Sequence, residues 1–191
     1  MMKVTLIDYT DDPVNMIGQV AAICYDANTS RDANLRRAAH CKDKGHLSTL
    51  RFAYATFAID GISRVCSHQL VRIAHAGILQ ESQRYVEQSN VDWVIPQAVF
   101  KLPDELYDEW NDILMRANTL YNSAIKNGMK KEDARYILPQ SCTTKINLCL
   151  NFQGWQDLLA NRTSKTAQWE IRDLAVKIER QLQEIAPEIF G

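Results

Sequence analysis

The segment from Cys142 to Phe152 constrains the fold more than any other part of this sequence, because its residues alternate in polarity with period two. One side of the alternation holds Thr144, Ile146, Leu148, Leu150 and Phe152, and the other holds Lys145, Asn147, Cys149 and Asn151. Successive side chains of a strand point to opposite faces of its sheet, so the pattern predicts a β-strand with one buried and one polar face. Such a sheet needs other elements to cover its apolar face.

Several segments have the apolar spacing and the end signals of helices. These predict helices from Ser30 to Gly45, over residues 63–76, from Pro103 to about Gly128, and in a last segment that Pro187 ends. Further strands are predicted within residues 4–9 and 52–60, and residues 79–86 are read as extended. Because helices and strands are mixed without a regular β-α-β alternation, the sequence predicts an α+β fold.

Length and composition exclude several classes of protein. A chain of 191 residues that is 46% hydrophobic and 24% charged predicts one domain with a real core. A net charge of −1 argues against a nucleic-acid partner, since wrapping phosphates needs a broad basic surface. No apolar run approaches the roughly 18–20 residues that span a bilayer, so no membrane partner is expected. With an acidic residue and no apolar core in its first ten residues, the chain is expected in the cytoplasm.

The five cysteines are an odd number and form no Cys-x-x-Cys pair, which predicts buried free thiols rather than a disulfide framework. Histidines and cysteines are frequent between positions 40 and 75, but their spacings match no recurring zinc site. The sequence therefore predicts no metal. No local signature supports a cysteine nucleophile with a histidine base either.

The stretch SHQLVRIAHAGILQESQRYV, residues 67–86, is the most informative polar segment. If residues 63–76 are helical, His68, Arg72 and His75 share one face, and if residues 79–86 are extended, Gln80, Ser82 and Arg84 point to one side. Such a convergent set of donors suits a phosphate group or a pyrimidine edge. The alternative is a solvated helix face followed by a polar edge strand.

Two later segments carry further polar residues. Arg135 lies in KKEDARYILP, and NFQGWQDLLANR carries Asn151 at a strand end and Arg162 just past a short amphipathic helix. Loops at element ends commonly supply ligand-binding groups. The alternative is that each is an ordinary surface residue.

Several of these motifs together resemble one family. DGISRVCSHQLVR, SQRYV ten residues later, DWVIP, DARYILP and NF…LLANR…AQWEIRDLA occur here in the order found in the flavin-dependent thymidylate synthases, also called thymidylate synthase complementing proteins. The resemblance runs from Gly45 to near Ala175. It implies that residues 1–191 form one domain of this family, with a mostly antiparallel sheet packed by helices.

The resemblance also implies a function. Members of the family are homotetramers that methylate C5 of dUMP with methylenetetrahydrofolate, reduced FAD and NADPH. The positions that bind the nucleotide in the family correspond here to Gln69, Arg72, Gln80, Ser82, Arg84 and Arg135. Arg162 matches the catalytic arginine that lies against the pyrimidine and polarises it, and a fixed guanidinium can stabilise negative charge there. The flavin-binding positions correspond to His46, Ser48, Asn151 and Asp157.

This chain departs from the family pattern mainly at flavin-binding positions. The Arg-His-Arg triplet reads Arg72, Ile73 and Ala74, and a usual Glu-His pair reads Arg51 and Phe52. The usual Asn-x-Arg reads Asn151, Phe152 and Gln153, and Asp157 replaces an asparagine. Each lost charge-assisted hydrogen bond would weaken flavin binding by roughly 1.5–3 kcal/mol. His75, two positions from the lost histidine, would compensate only after a local shift.

These departures leave three functions open. The protein is a working flavin-dependent thymidylate synthase with a remodelled flavin pocket, a relative that carries out different C5 chemistry with weak or no FAD binding, or a non-catalytic paralogue that binds nucleotides or serves as an assembly subunit. A shared fold does not decide among them. The first function is the principal prediction.

Overall fold

The alternating segment forms the strand that the sequence predicts, within a four-stranded antiparallel sheet. The computed structural model describes residues 1–191. The strands are β1 (Lys3–Tyr9), β2 (Tyr54–Ser63), β3 (Gly77–Gln80) and β4 (Thr143–Asn151), and their order across the sheet is β1-β2-β4-β3. Along β4, Thr144, Ile146, Leu148 and Leu150 are all buried, which confirms the predicted polarity of its two faces.

Eight α-helices accompany the sheet, and the predicted α+β class is confirmed. They are α1 (Pro13–Ala22), α2 (Arg31–Asp43), α3 (Arg64–Leu70), α4 (Asp104–Lys126), α5 (Lys131–Ala134), α6 (Phe152–Arg162), α7 (Trp169–Ile185) and α8 (Pro187–Phe190). Short 3-10 turns cover Ile23–Tyr25, Leu47–Phe52, Val99–Lys101 and Arg135–Ile137. None of the helices combines the length and the apolar character needed to cross a bilayer.

The chain divides into two compact units, each built from separate stretches of sequence. The first unit comprises Met1, Asp60–Leu70 and Gln80–Ile146, and the second comprises Met2–Ile59, Val71–Leu79 and Asn147–Gly191. The first unit therefore contains α3, α4 and α5, and the second contains the other five helices. The single domain expected over residues 1–191 stays a prediction.

Aromatic packing anchors α6 in the second unit. The indole Nε1 of Trp155 donates a 3.0 Å hydrogen bond to the carbonyl oxygen of Ala55, and the indole packs edge-on against Phe57 with ring centroids 5.1 Å apart. All three residues are fully buried. The backbone N–H of Phe152 also donates to the carbonyl of Ala53, 2.8 Å away. The start of α6 is thus fixed against β2 and the residue that precedes it.

The predicted helix over residues 63–76 begins within one residue of α3 but ends too late. Strand β2 continues to Ser63, α3 ends at Leu70, and residues 71–76 are irregular, so His68, Arg72 and His75 do not share a helix face. The N–H of Arg64, the first residue of α3, donates to the carbonyl of Cys142, the residue before β4. Beyond the end of α3, His75 adopts a φ of 60°, which an α-helix does not allow.

The extended segment predicted over residues 79–86 is also wrong beyond Gln80, where β3 ends. The N–H groups of Tyr85 and Val86 donate to the carbonyl of Ser82, so this part is a turn. Gln80, Ser82 and Arg84 therefore do not line one side of a strand. The backbone N–H groups of Tyr85 and Val86 are bonded within this turn and therefore need no neighbouring strand.

The cysteine prediction is partly confirmed. All five thiols are free, and Cys41, Cys66 and Cys142 are buried. Cys24 is exposed, because it lies in the short 3-10 turn after α1 rather than on the buried face of that helix. No group of three or more His, Cys, Asp or Glu side chains is arranged to hold a metal ion.

Candidate functional site

Two of the predicted nucleotide-binding arginines are held by the same residue of the first unit. The Nε atom of Arg84 lies 3.0 Å from a carboxylate oxygen of Glu132, and the Nε of Arg135 donates to the backbone carbonyl of Glu132 at 3.1 Å. Both arginines use Nε for these bonds, so their terminal Nη atoms stay free of protein partners. Paired Nη donors suit the oxygens of a phosphate. We call Arg84, Lys131, Glu132 and Arg135 the arginine cluster.

The cluster forms because α5 and the 3-10 turn after it bind the turn that begins at Ser82. Lys131 Nζ donates to the carbonyl of Tyr85 at 3.1 Å, and the hydroxyl of Ser82 accepts from the backbone N–H of Arg84 at 3.3 Å. Three cations and one carboxylate therefore meet at this turn. Although the whole chain is nearly neutral, the cluster carries net positive charge.

Gln80 and Gln69 differ in how firmly they are held. The side-chain amide nitrogen of Gln80 donates to the hydroxyls of Ser67 at 2.8 Å and Thr144 at 3.3 Å, which fixes its orientation. Gln69 lies half-buried on α3 and makes no side-chain hydrogen bond. Of the two amides, only that of Gln69 is free to turn toward a ligand.

Arg64 is a half-buried cation to which the sequence analysis gave no role. Its Nη2 donates to the carbonyl of Glu81 at 2.9 Å, directly before Ser82, while its Nε is buried and has no hydrogen-bond partner. Burial lowers the pKa of Arg64 from its ordinary value, the charge of Arg135 adds to that shift, and Cys142 and Glu81 oppose it. Only tertiary structure could identify it, because its contact joins α3 to Glu81, 17 positions further along the chain.

The second unit contains a cleft along α6, which we call the α6 cleft. It consists of two adjoining cavities of about 340 and 450 Å³, within the roughly 300–1,000 Å³ typical of ligand sites. Both cavities are lined by Ala74, His75, Gly154 and Asp157. The smaller one adds Arg51, Leu150, Asn151 and Gln153, and the larger one adds Ile73, Leu158, Asn161 and Arg162.

Three predicted site residues therefore share this cleft. Asn151 is the N-cap of α6, and its side-chain oxygen accepts from the N–H of Gly154 at 2.9 Å. Asp157 is exposed and lies about 1.7 turns beyond Asn151. Arg162 is the last residue of α6 rather than just past it, because the helical hydrogen bonds continue to Thr163. It is half-buried and makes no hydrogen bond or ion pair, so its guanidinium is available to a ligand.

Arg51 is a cation of the α6 cleft that the sequence analysis recorded only as a departure from the family pattern. Its Nε donates to the side-chain oxygen of Gln153 at 2.6 Å. It belongs to the 3-10 turn Leu47–Phe52 and is exposed. Gln153 is uncharged, so the hydrogen bond fixes the arginine without neutralising it.

Three other predicted residues do not line these cavities. His46 and Ser48 are exposed near the start of the 3-10 turn, where the carbonyl of His46 accepts hydrogen bonds from Thr49. Arg72 is exposed and has no partner. For all three, a role in binding stays a prediction.

Comparison with known proteins identifies the family. The family model described as thymidylate synthase complementing protein matches residues 5–188. Proteins named flavin-dependent thymidylate synthase are similar over most of their length: one from Pyrococcus furiosus is 38% identical over 95% of this chain and 79% of its own, and one from Thermococcus onnurineus is 40% identical over 93% and 77%. Another, from Geobacter sulfurreducens, is 34% identical over 99% and 85%. The chain therefore belongs to the thymidylate synthase complementing protein family.

Proposed function

We propose that this protein is a thymidylate synthase that methylates C5 of dUMP. The observation that carries the proposal is the arginine cluster, in which Arg84 and Arg135 are both held through Nε by Glu132 and keep their Nη atoms free. Arginines oriented before the ligand arrives lose little further freedom when they bind a phosphate. The names of the relatives support the same activity.

In this proposal the arginine cluster binds the phosphate of the nucleotide. Ser82, Gln80, Gln69 and Arg72 complete the binding set as the resemblance implies. Gln80 is already oriented by its two hydroxyl partners, so it can present its carbonyl oxygen in a fixed direction. Residues held this way favour one ligand geometry over others.

Arg162 is the proposed catalytic residue. Its free, half-buried guanidinium would lie against the uracil and stabilise the negative charge that makes C5 nucleophilic. In the net reaction, C5 of dUMP forms a bond to the methylene carbon of methylenetetrahydrofolate and loses its proton, and the bonds from that carbon to the two folate nitrogens break. A hydride that originates from NADPH completes the methyl group, the C5 proton and one proton from solvent balance the two folate nitrogens, and the products are dTMP, tetrahydrofolate and NADP⁺.

The α6 cleft has a donor set that fits a flavin nucleotide. Arg51 and Arg162 supply positive charge, while Ile73, Ala74 and Leu158 supply apolar surface for a planar ring. We propose that Asn151 and Asp157 bind FAD there, with His46 and Ser48 as the resemblance implies. When bound, FAD would supply the hydride after reduction by NADPH.

Release of tritium from dUMP labelled at C5 tests the proposed reaction. We expect release that needs methylenetetrahydrofolate, NADPH and FAD, with dTMP as product. Arg162→Ala should lower kcat by roughly 10²–10³, the usual cost of losing one charge-stabilising donor. Arg36→Ala, which removes an exposed arginine of α2, is the matched control and should keep full activity. A fully active Arg162→Ala variant would overturn the assignment of Arg162.

A second candidate is a nucleotide-binding protein with different C5 chemistry and little FAD binding. The presence of Ile73 and Ala74 in the α6 cleft favours it, because neither side chain donates a hydrogen bond or carries charge. An absorbance spectrum after incubation with FAD separates the two functions: a bound flavin band supports the first. Calorimetry with dUMP then tests the site common to both, and absence of binding would leave a non-catalytic role.

We also propose that the protein assembles as a homotetramer. Helix α4 exposes large apolar side chains, which usually mark a surface that another protein covers. These are Leu106, Trp110, Ile113, Met115 and Leu120, each between 39% and 67% exposed. Light scattering should give four times the 21.8 kDa chain mass, and a monomer would contradict the proposal. The cytoplasmic location expected from the sequence stays a prediction.

A further inference from the structure

We infer that Arg51 is the cation that binds the diphosphate of the flavin nucleotide in this chain, and that Gln153 positions it. The inference rests on the proposed use of FAD and adds a residue that the resemblance does not supply. Its starting point is the contact between the two side chains, Arg51 Nε to Gln153 Oε1 at 2.6 Å, on the wall of the smaller cavity of the α6 cleft.

The hydrogen bond leaves most of the binding capacity of Arg51 unused. A guanidinium has five N–H donors, and only the one on Nε is bonded here. Both Nη atoms are free, and they are the pair that meets a phosphate side by side. No carboxylate forms an ion pair with Arg51, although Asp157 lines the same cavity. The positive charge is therefore fixed in place and not neutralised.

The surroundings of Arg51 add to the positive potential of this part of the cleft. The smaller cavity also includes Asn151, Gln153 and Gly154, which form the first turn of α6 with its N-cap. A helix of eleven residues carries a partial positive charge at that end. The opposing charge is Asp157, further along the helix. An anionic group is thus better accommodated at the Arg51 end than at the Asp157 position.

The pattern of substitutions agrees with a displaced charge. By the resemblance described above, an arginine is replaced by Gln153, and an acidic residue is replaced by Arg51. The structure brings these two positions into direct hydrogen-bond contact. Positive charge is therefore lost at position 153 and gained at position 51, and the wall of the cavity keeps one cation.

Flavin titrations followed by fluorescence quenching test this role without any turnover. We expect Arg51→Ala to weaken FAD binding about 10- to 100-fold, because charge-assisted hydrogen bonds to phosphate are lost. Binding of riboflavin, which has no phosphate, should change by less than about twofold. Arg51→Lys should fall between the wild type and Arg51→Ala, since it keeps the charge but loses the paired donors. Arg36→Ala is again the matched control.

A double variant gives the most specific result. Arg51→Glu alone should bind FAD most weakly. Combining Arg51→Glu with Gln153→Arg should restore much of the FAD affinity, because the cation is then at position 153 of the same contact. Thermal unfolding of each variant shows whether it is folded. Equal FAD affinity of the wild type and a folded Arg51→Ala would overturn the inference, and so would an equal loss for riboflavin.

The outcomes also separate this inference from the proposed function. If the wild type binds FAD and releases tritium from dUMP while Arg51→Ala binds FAD normally, only the role of Arg51 fails. If the wild type binds no FAD, both the flavin-dependent reaction and the role of Arg51 fail. Binding of dUMP by calorimetry then decides whether the nucleotide site stands alone.

Discussion

The arginine cluster and the α6 cleft hold their cations in contrasting ways. In the cluster, Arg84 and Arg135 are fixed by a carboxylate and a carbonyl of one residue, Glu132. In the cleft, Arg51 is fixed by a neutral amide, and Arg162 is not fixed by any hydrogen bond. The comparison indicates that the cluster is preformed around an ion pair, whereas the cleft holds one cation through a neutral amide and leaves the other without a partner.

The largest expected effect is the loss of dUMP affinity when the arginine cluster loses its arginines. Replacing both Arg84 and Arg135 with alanine should weaken dUMP binding by roughly 100-fold or more, because several charge-assisted hydrogen bonds to phosphate are lost. Calorimetry measures this, with Arg36→Ala on α2 as a control for the loss of an exposed arginine. Deoxyuridine, which lacks the phosphate, should bind the double variant and the wild type equally. A similar loss for deoxyuridine would show that the cluster does not bind phosphate.

The next effect concerns the packing that supports the α6 cleft. Trp155→Ala should destabilise the protein by about 3–5 kcal/mol, because it leaves a large cavity beside Phe57. Trp155→Phe keeps most of the apolar volume but leaves the carbonyl of Ala55 without its hydrogen-bond donor. We therefore expect the free energy of unfolding to fall by about 1–3 kcal/mol. Urea unfolding measures both variants. A loss below 1 kcal/mol for Trp155→Ala would contradict the anchoring role.

A smaller effect on stability and on dUMP affinity is expected when the carboxylate of Glu132 is replaced. Glu132→Gln removes the ion pair with Arg84 but keeps a hydrogen-bond acceptor of the same shape. The two side chains are 54% and 38% exposed, so the stability change should stay within about 1 kcal/mol. Affinity for dUMP should change by less than about tenfold, in contrast to the double arginine variant. A loss as large as that of the double variant would make Glu132 itself a principal binding residue.

The smallest expected effect is a pH dependence carried by Cys142. Burial raises the pKa of this thiol above its ordinary value, with Arg64 as the main opposing influence. The unfolded thiol releases its proton first as pH rises, so its contribution to stability is complete below about pH 8 and falls at higher pH. Between pH 7 and 9.5 the wild type should lose more stability than Cys142→Ala. Equal losses in urea unfolding would contradict this assignment.

The regular elements could be predicted because their signals are local. The alternation along β4 and the buried spacing of Ile171, Leu174, Ile178 and Leu182 in α7 depend only on which face meets the core. The failures lie in residues 71–86, where the spacing predicted the second half of a helix and a strand. The positive φ of His75 and the turn hydrogen bonds to the carbonyl of Ser82 decided that region, and neither is encoded in apolar periodicity.

The identity of the candidate binding residues was largely available from the sequence, and their arrangement was not. The motifs around Arg72, Arg84, Arg135 and Arg162 were sufficient to predict the family, which the comparison with known proteins confirms. No motif of the sequence points to Glu132 or Arg64, because their contacts to Arg84 and Glu81 join separate segments of the chain.

The sequence by itself determined the α+β class, the faces of β4 and α7, and the family, because periodicity and motif order are properties of the chain alone. Only the tertiary structure decided that Glu132 contacts Arg84, 48 positions away, and that Arg51 contacts Gln153, 102 positions away. Hydrogen bonds of that kind depend on distances in space rather than along the chain. A nearly neutral composition is therefore compatible with a positively charged site, since folding can gather a few cations at one place.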